Sequence, residues 1–271
     1  MQLSYRTALS KHRDQRGIAR VSWVTWLVTA LTVAIWLFTA YQVALLEGQH
    51  SLAGIWHTFL NNDENVDVLV RYGAKDNDLL RSGQYWRLLT PIFLHANLLH
   101  VALNMFNFVF LGFFLERLLG HLRFLYLYLL TGIISIIAST YFMPNEVSVG
   151  ASGAIFGLVG VYCVFVVSHR RAFLYNGVPT LLWLVIIIGI NLSIGLFIPN
   201  VDNYAHIAGF CSGCLLGWWF SPSYRPPDRG LADPESSLSD AHSLARRWPI
   251  ALLAIIGTFV LAVIVIHLIG G

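Results

Sequence analysis

Charge is what this sequence has least of: 11% of its 271 residues are Asp, Glu, Lys or Arg, against ~25% in a typical soluble domain. So few charges cannot coat a soluble globule of this size, and the same shortage excludes a disordered chain and a nucleic-acid-binding domain. Cysteine is scarce too. Cys163, Cys211 and Cys214 all fall inside apolar stretches, so no disulfide framework is implied. Those stretches carry no central Asp or Glu, which rules out the proton-sharing carboxylate pair of an intramembrane aspartyl protease. None of the ten histidines is followed by Glu, so an HExxH-type zinc site is missing. Nothing in the chain calls for a metal or another cofactor.

What the chain has is length of apolar run. It is 56% hydrophobic, and its clustered charges leave several uncharged stretches of about twenty residues, enough to cross ~30 Å of hydrocarbon. The expected fold is therefore an all-α polytopic membrane protein. Seven spans are read at about 23–46, 92–114, 122–143, 152–168, 178–198, 203–220 and 248–269. The fourth and sixth are short and glycine-rich, as suits helices shielded by other protein.

Basic residues orient the chain. Arg6, Lys11, Arg13, Arg16, Arg20, Arg117, Arg123, Arg170, Arg171, Arg225, Arg229, Arg246 and Arg247 fall on one side, thirteen of the seventeen in all. That makes residues 1–22 a cytoplasmic N-terminal segment and the C-terminus external. Residues 23–220 form a six-helix core interrupted by a long external loop, 47–91. Residues 221–247, with Pro222, Pro226, Pro227 and Pro234, read as a flexible cytoplasmic linker, and 248–271 as a seventh helix. A bacterial cell membrane is the expected setting. No internal repeat is visible, so an inverted-repeat transporter finds no support.

Polar side chains at bilayer depth cost free energy and mark function. In span two, His100, Asn104 and Asn107 share one helical face, with His95 about half a turn from Asn104 near the external end. On that wheel His95 and His100 project to different faces. Interhelical hydrogen bonding is the plainer use of such a stripe. Span four opens Gly150-Ala151-Ser152-Gly153-Ala154-Ile155-Phe156-Gly157. Ser152 there is either a helix cap, part of a small-residue packing face with Gly153 and Gly157, or a nucleophile beside free backbone N–H groups. In span six, Gly209, Gly213 and Gly217 form a seam that lets another backbone come close, and His206 points toward that seam.

Spans four and six both enter from outside, so Ser152, His206 and the His100 face meet at similar depth. A serine hydroxyl needs a base, and neutral imidazole supplies one near pH 7. A triad would add a carboxylate; only Asp202, four residues before His206, is near, and helix capping suits it better. A Ser152–His206 dyad is the expectation, with the oxyanion held by the Ser152 N–H, His100 and Asn104.

At these residues the sequence resembles the rhomboid family of intramembrane serine proteases, over roughly 80–220. Trp86-Arg87 matches the family's loop pair, and His95, His100 and Asn104 its His-x4-His-x3-Asn spacing. Gly150-Ala151-Ser152-Gly153 matches its GxSG, and Ala205-His206-Ile207-Ala208-Gly209 its AHxxG. The resemblance implies Ser152 as nucleophile and His206 as general base, with His100, Asn104 and the Ser152 N–H as the oxyanion site. It also implies a turn shaped by Gly150 and Gly153, a close helix contact at Gly209, and a six-plus-one variant of the fold. Where the family often has Tyr four residues after the serine, this chain has Phe156, which keeps the ring that supports the imidazole. The implied partners are transmembrane protein substrates within the lipid bilayer, cleaved near the external surface. A non-catalytic rhomboid-like binder that escorts membrane clients is the alternative, and a transporter is the third reading.

Overall fold

A computed structural model describes residues 21–61, 65–169, 201–222, 224–225, 239–240 and 242–270. The expected fifth span, 178–198, lies outside them, as do residues 1–20 and most of the linker. In chain order the elements are α1 (Trp23–Leu46), α2 (Leu52–Asn61), α3 (Val66–Arg71), α4 (Asn77–Arg81), two 3-10 turns (Tyr85–Leu88 and Thr90–Phe93), α5 (Leu98–Leu119), α6 (His121–Phe142), α7 (Ser152–Ser168), α8 (Asn203–Phe220), the short strands β1 (Tyr224–Arg225) and β2 (Ser239–Asp240), and α9 (Trp248–Gly270). Strands β1 and β2 form one antiparallel pair. Otherwise the regular structure among the described residues is helical. Helices α1, α5, α6 and α9 are each long and apolar enough to cross a membrane. The fold is that of an all-α polytopic membrane protein.

Helix α7 lies at the centre, with every residue from Gly153 to Val161 buried. Its short apolar length is therefore enclosed by protein, mainly α8 and α6. The main core cluster draws Phe108 and Leu115 from α5, Phe124 and Tyr128 from α6, Leu158 from α7 and Phe220 from α8. In lipid, helices gain little from hiding apolar surface from a medium that is itself apolar, so close backbone approach carries the association. The closest approach is α7 against α8. A Cβ added to Gly209 would stand 2.0 Å from the Gly153 carbonyl oxygen, and one on Gly213 1.9 Å from that of Gly157.

The second span differs from its expected 92–114. The helix runs from Leu98 to Leu119 because Asn97 adopts extended backbone and its side chain accepts the His100 N–H, an N-cap. Pro91 sits in the preceding 3-10 turn, where its fixed φ and missing N–H are tolerated. His95 is therefore in the connection before α5, and its expected position on a helical wheel with Asn104 does not apply.

At the other end the helix continues past 114 and buries Glu116 completely. The carboxylate accepts the backbone N–H groups of Val24 and Thr25 at 2.9 and 2.8 Å and the Thr25 hydroxyl at 2.6 Å. It also meets His121 Nδ1 at 2.5 Å. Ser22 makes no side-chain cap at the start of α1, so Glu116 borrowed from α5 satisfies that helix end.

The described residues of the stretch 47–91 pack against the helices of the bundle. Arg87, buried, donates from Nη1 to the Val70 and Ala74 carbonyls at 2.7 and 2.8 Å and from Nε to Gln84 Oε1 at 2.8 Å. Its neighbour Trp86 is exposed. The arginine thus ties α3 to the 3-10 turns that lead into α5.

Helix α9 packs along α6, where the Tyr126 hydroxyl donates to the Ala251 carbonyl at 3.0 Å. Ala262 and Val265 cluster there with Ile137. Its far end receives a hydrogen bond from Arg81 of α4 to the Ile269 carbonyl, so loop 47–91 and the end of α9 share a side. The described parts of the linker are held as well. Arg123 bridges the Phe220 carbonyl at 3.0 Å and Asp240 at 2.5 Å, and His242 Nδ1 lies 2.9 Å from the Ser221 carbonyl.

Candidate active site

Ser152 is the first residue of α7, with Ala151 in the cap position and no side chain capping the helix. The serine is therefore not spent on the capping role its sequence position allowed. Its neighbours at the helix start, Gly153 and Ala154, have no carbonyl within the helix to bond, so their N–H groups and that of Ser152 are the orphan donors of a helix N-terminus. Such a terminus favours negative charge.

The turn that presents Ser152 is held residue by residue. Gly150 adopts φ +126°, and a Cβ there would lie 2.8 Å from His100 Nε2 and 3.8 Å from Ser152 Oγ. Only glycine fits, on conformational and on steric grounds. The Gly150 N–H donates to the Pro91 carbonyl at 2.8 Å, and the Ala151 N–H points at His95 Nε2 at 3.4 Å. His95 is buried, and its ring stands edge-on to that of His100 with centroids 4.9 Å apart. The two histidines, assigned to different faces by the helical wheel, are thus in contact, because His95 precedes the helix.

His206 comes from the first turns of α8, and its Nε2 lies 2.8 Å from Ser152 Oγ. The ring is buried and stacks on Phe156 at 4.6 Å between centroids and 20° between planes. The phenyl ring supports the imidazole without a hydroxyl. His206 Nδ1 has no hydrogen-bond partner among the described residues. Asp202 does not reach it: its Oδ1 accepts the Ala205 N–H at 2.9 Å, and its Oδ2 the Ser148 hydroxyl at 3.2 Å.

Asn104 is buried and donates one amide hydrogen to the His100 carbonyl at 2.9 Å, which leaves its second N–H. Asn107 folds back in the same way onto the Leu103 carbonyl at 2.8 Å. Gly153 abuts Ser135 of α6, and Gly209 abuts Gly153, so the serine and histidine helices touch within one turn of both side chains. Arg87 works within the loop, bonded to Gln84 and to the Val70 and Ala74 carbonyls.

Lys75 escaped the sequence reading. It carries no motif, yet it is fully buried between α3 and α4. Its Nζ donates to the Met143 and Glu146 carbonyls at 2.5 and 2.7 Å. Its backbone pairs with that of Ser148, four residues before the serine. Burial pulls the ammonium from 10.5 down to about 8, against the opposing charges of Asp202, Asp76 and Glu146. Between those two values the unfolded chain holds a proton that the folded chain has released, so stability rises with pH across that window. Lys75→Met is expected to remove this slope. Thermal unfolding of both proteins from about pH 7 to 10 checks it, the wild type gaining on the order of 2 kcal/mol relative to the variant.

Known proteins resemble this chain in sequence. A family model described as "Rhomboid domain" matches residues 82–223. RHOMBOID-like protein 1 of Arabidopsis thaliana is 33% identical over 265 residues, covering 90% of this chain and 67% of the relative. Rhomboid protease GluP of Bacillus subtilis is 44% identical over 149 residues, 55% of this chain and 29% of the relative. Rhomboid-like protease 1 of Toxoplasma gondii is 33% identical over 202 residues, 72% of this chain and 64% of the relative. With plant, bacterial and Toxoplasma proteins among them, these relatives do not single out a bacterial membrane. The helical architecture, the family match across more than half of the sequence and the extent of these similarities lead to one assignment: the chain belongs to the rhomboid family.

Proposed function

We propose that the protein is an intramembrane serine endopeptidase in which Ser152 and His206 act as a dyad on transmembrane helices of other membrane proteins, near their external end. The observation that carries this reading is the 2.8 Å contact between Ser152 Oγ and His206 Nε2 inside the helical bundle. Relatives named as proteases, GluP and the Toxoplasma protein, support it. The distribution of Lys and Arg supports an N-terminus in the cytoplasm and the dyad toward the outside.

In this mechanism His206 Nε2 takes the Ser152 proton as Oγ bonds to the scissile carbonyl carbon. The resulting oxyanion is held by the Ser152 N–H, His100 and the second N–H of Asn104. The imidazolium returns its proton to the leaving amine, the C–N bond breaks, and an acyl-enzyme remains. Water, activated by His206, then attacks the ester and releases the new carboxylate. The polar groups of His95, His100, Asn104 and Ser152 would favour that water over lipid. A substrate helix hides its carbonyls in intrahelical bonds, so segments with Gly, Ala, Ser or Pro near their external end unwind to the dyad most easily.

The test is incubation of the purified full chain in bilayers with a single-span model substrate, alongside fluorophosphonate labelling of Ser152. Cleavage and labelling are expected. Labelling that persists in Ser152→Ala would leave the non-catalytic escort as the better reading. Asn104→Ala is expected to lower turnover about 10- to 100-fold, since one oxyanion donor among several is removed. An unchanged rate would take Asn104 out of the oxyanion site.

A further inference from the structure

Among the described residues Asp202 is the acidic side chain near His206, and both of its carboxylate oxygens are engaged elsewhere. Oδ1 caps α8 at the Ala205 N–H, and Oδ2 accepts the Ser148 hydroxyl. The Asp202 carbonyl receives the backbone N–H of His206 itself at 3.2 Å. Ser148 is equally committed on its other side. Its backbone exchanges hydrogen bonds with Lys75 at 3.0 and 3.3 Å, in a segment that the buried Lys75 ammonium pins at Met143 and Glu146.

We propose that the Ser148–Asp202 hydrogen bond is a positioning clamp that locks the nucleophile's loop to the first turn of the base's helix, making Asp202 a positioning residue and not the third member of a triad. Ser148 stands four residues before Ser152, and Asp202 four before His206. The clamp therefore joins the two chain segments at equal sequence separation from the two reacting residues, and the glycine contact joins them again further along α7 and α8. Glycine packing at Gly209 and Gly213 fixes how close α7 and α8 come. It does not stop the loop before α7 from swinging relative to the start of α8. The cross-link at 148 and 202 does, and Lys75 carries the restraint on into loop 47–91.

The proposal rests on the peptidase reading for its kinetic test but has a structural test independent of it. Asp202→Ser keeps an N-cap on a side chain too short to reach Ser148. Ser148→Ala leaves the cap intact and removes only the cross-link. Asp202→Asn keeps the cap, and its amide can donate to the Ser148 hydroxyl. Cleavage of the single-span substrate by the full chain in bilayers should show kcat lowered about tenfold in Ser148→Ala and in Asp202→Ser, in line with one hydrogen bond to a charged group. KM and the shape of the pH profile should be unchanged, the double variant should be no worse than either single one, and Asp202→Asn should recover most of the rate. A severe loss in Asp202→Asn with a silent Ser148→Ala would mean that the carboxylate acts on the imidazole directly, and would overturn the clamp. Additive losses would overturn it too.

Amide hydrogen exchange followed by mass spectrometry gives the second test. Ser148→Ala should speed exchange in residues 143–151 and in 202–208 together. A change confined to 143–151 would overturn the clamp. If the wild type fails to cleave any single-span substrate, the peptidase reading falls, and the exchange result alone judges the clamp.

Discussion

Ser152→Ala is expected to abolish cleavage of a single-span substrate, with kcat falling by about 10⁴- to 10⁶-fold. In the proposed mechanism the Ser152 oxygen bonds to the carbonyl carbon, and among the described residues no other hydroxyl or thiol is hydrogen-bonded to His206 Nε2 in its place. His206→Ala should fall by a similar factor, because a serine at full pKa is a weak nucleophile without its base. Combining the two should cost little more than either alone, as residues acting as one unit are far from additive. Binding of substrate should survive in Ser152→Ala, since the methyl group leaves the turn at Gly150 and the packing of α7 intact. Single-turnover cleavage together with a binding measurement on the same preparation separates these effects. Cleavage unaffected by either change would contradict the dyad.

The second large effect concerns a residue with no chemistry. Gly213→Ala would set a Cβ 1.9 Å from the Gly157 carbonyl oxygen, a contact that backbone must yield to relieve. Overpacking of this kind costs several kcal/mol when neither side can move; on the order of 4 kcal/mol is expected here. The separation of α7 from α8 would also pull Ser152 away from His206, so turnover should fall further than stability explains. Gly209→Ala, at 2.0 Å from the Gly153 carbonyl oxygen, should behave alike. Gly257→Ala in α9 is the control: nothing lies within 4 Å of its added Cβ, and helix propensity favours alanine by about 1 kcal/mol. Thermal unfolding and turnover of the three variants check this. A Gly213→Ala protein as stable as Gly257→Ala would refute the close-packed seam.

Much of this was legible before any coordinates. Helices Trp23–Leu46, Ser152–Ser168 and Asn203–Phe220 begin and end where their apolar runs do, because a bilayer demands uninterrupted apolar length and internally bonded backbone. Spacing and charge distribution also grouped Ser152, His206 and His100 as one candidate site, and His206 Nε2 lies 2.8 Å from Ser152 Oγ. The start of α5 was not legible, since Asn97 reads equally well as one more polar residue of the stripe until its side chain is seen to accept the His100 N–H. His95 moved with it. Glu116 lies just past the expected end of the second span at 114; a buried carboxylate is tolerated there only because α1, distant in sequence, brings it two orphan N–H groups and a hydroxyl.

The sequence by itself determined that the chain belongs in a membrane, crossing it several times, and it singled out the residues proposed to carry the chemistry. Those properties depend on apolar length, charge distribution and the identity of a few polar side chains. Only the tertiary structure decided how the serine's turn is held: Lys75, the Pro91–His95 connection and Asp202 reach it from three separate segments. No periodicity along one helix encodes contacts between segments so far apart in the chain; they exist only in the folded arrangement.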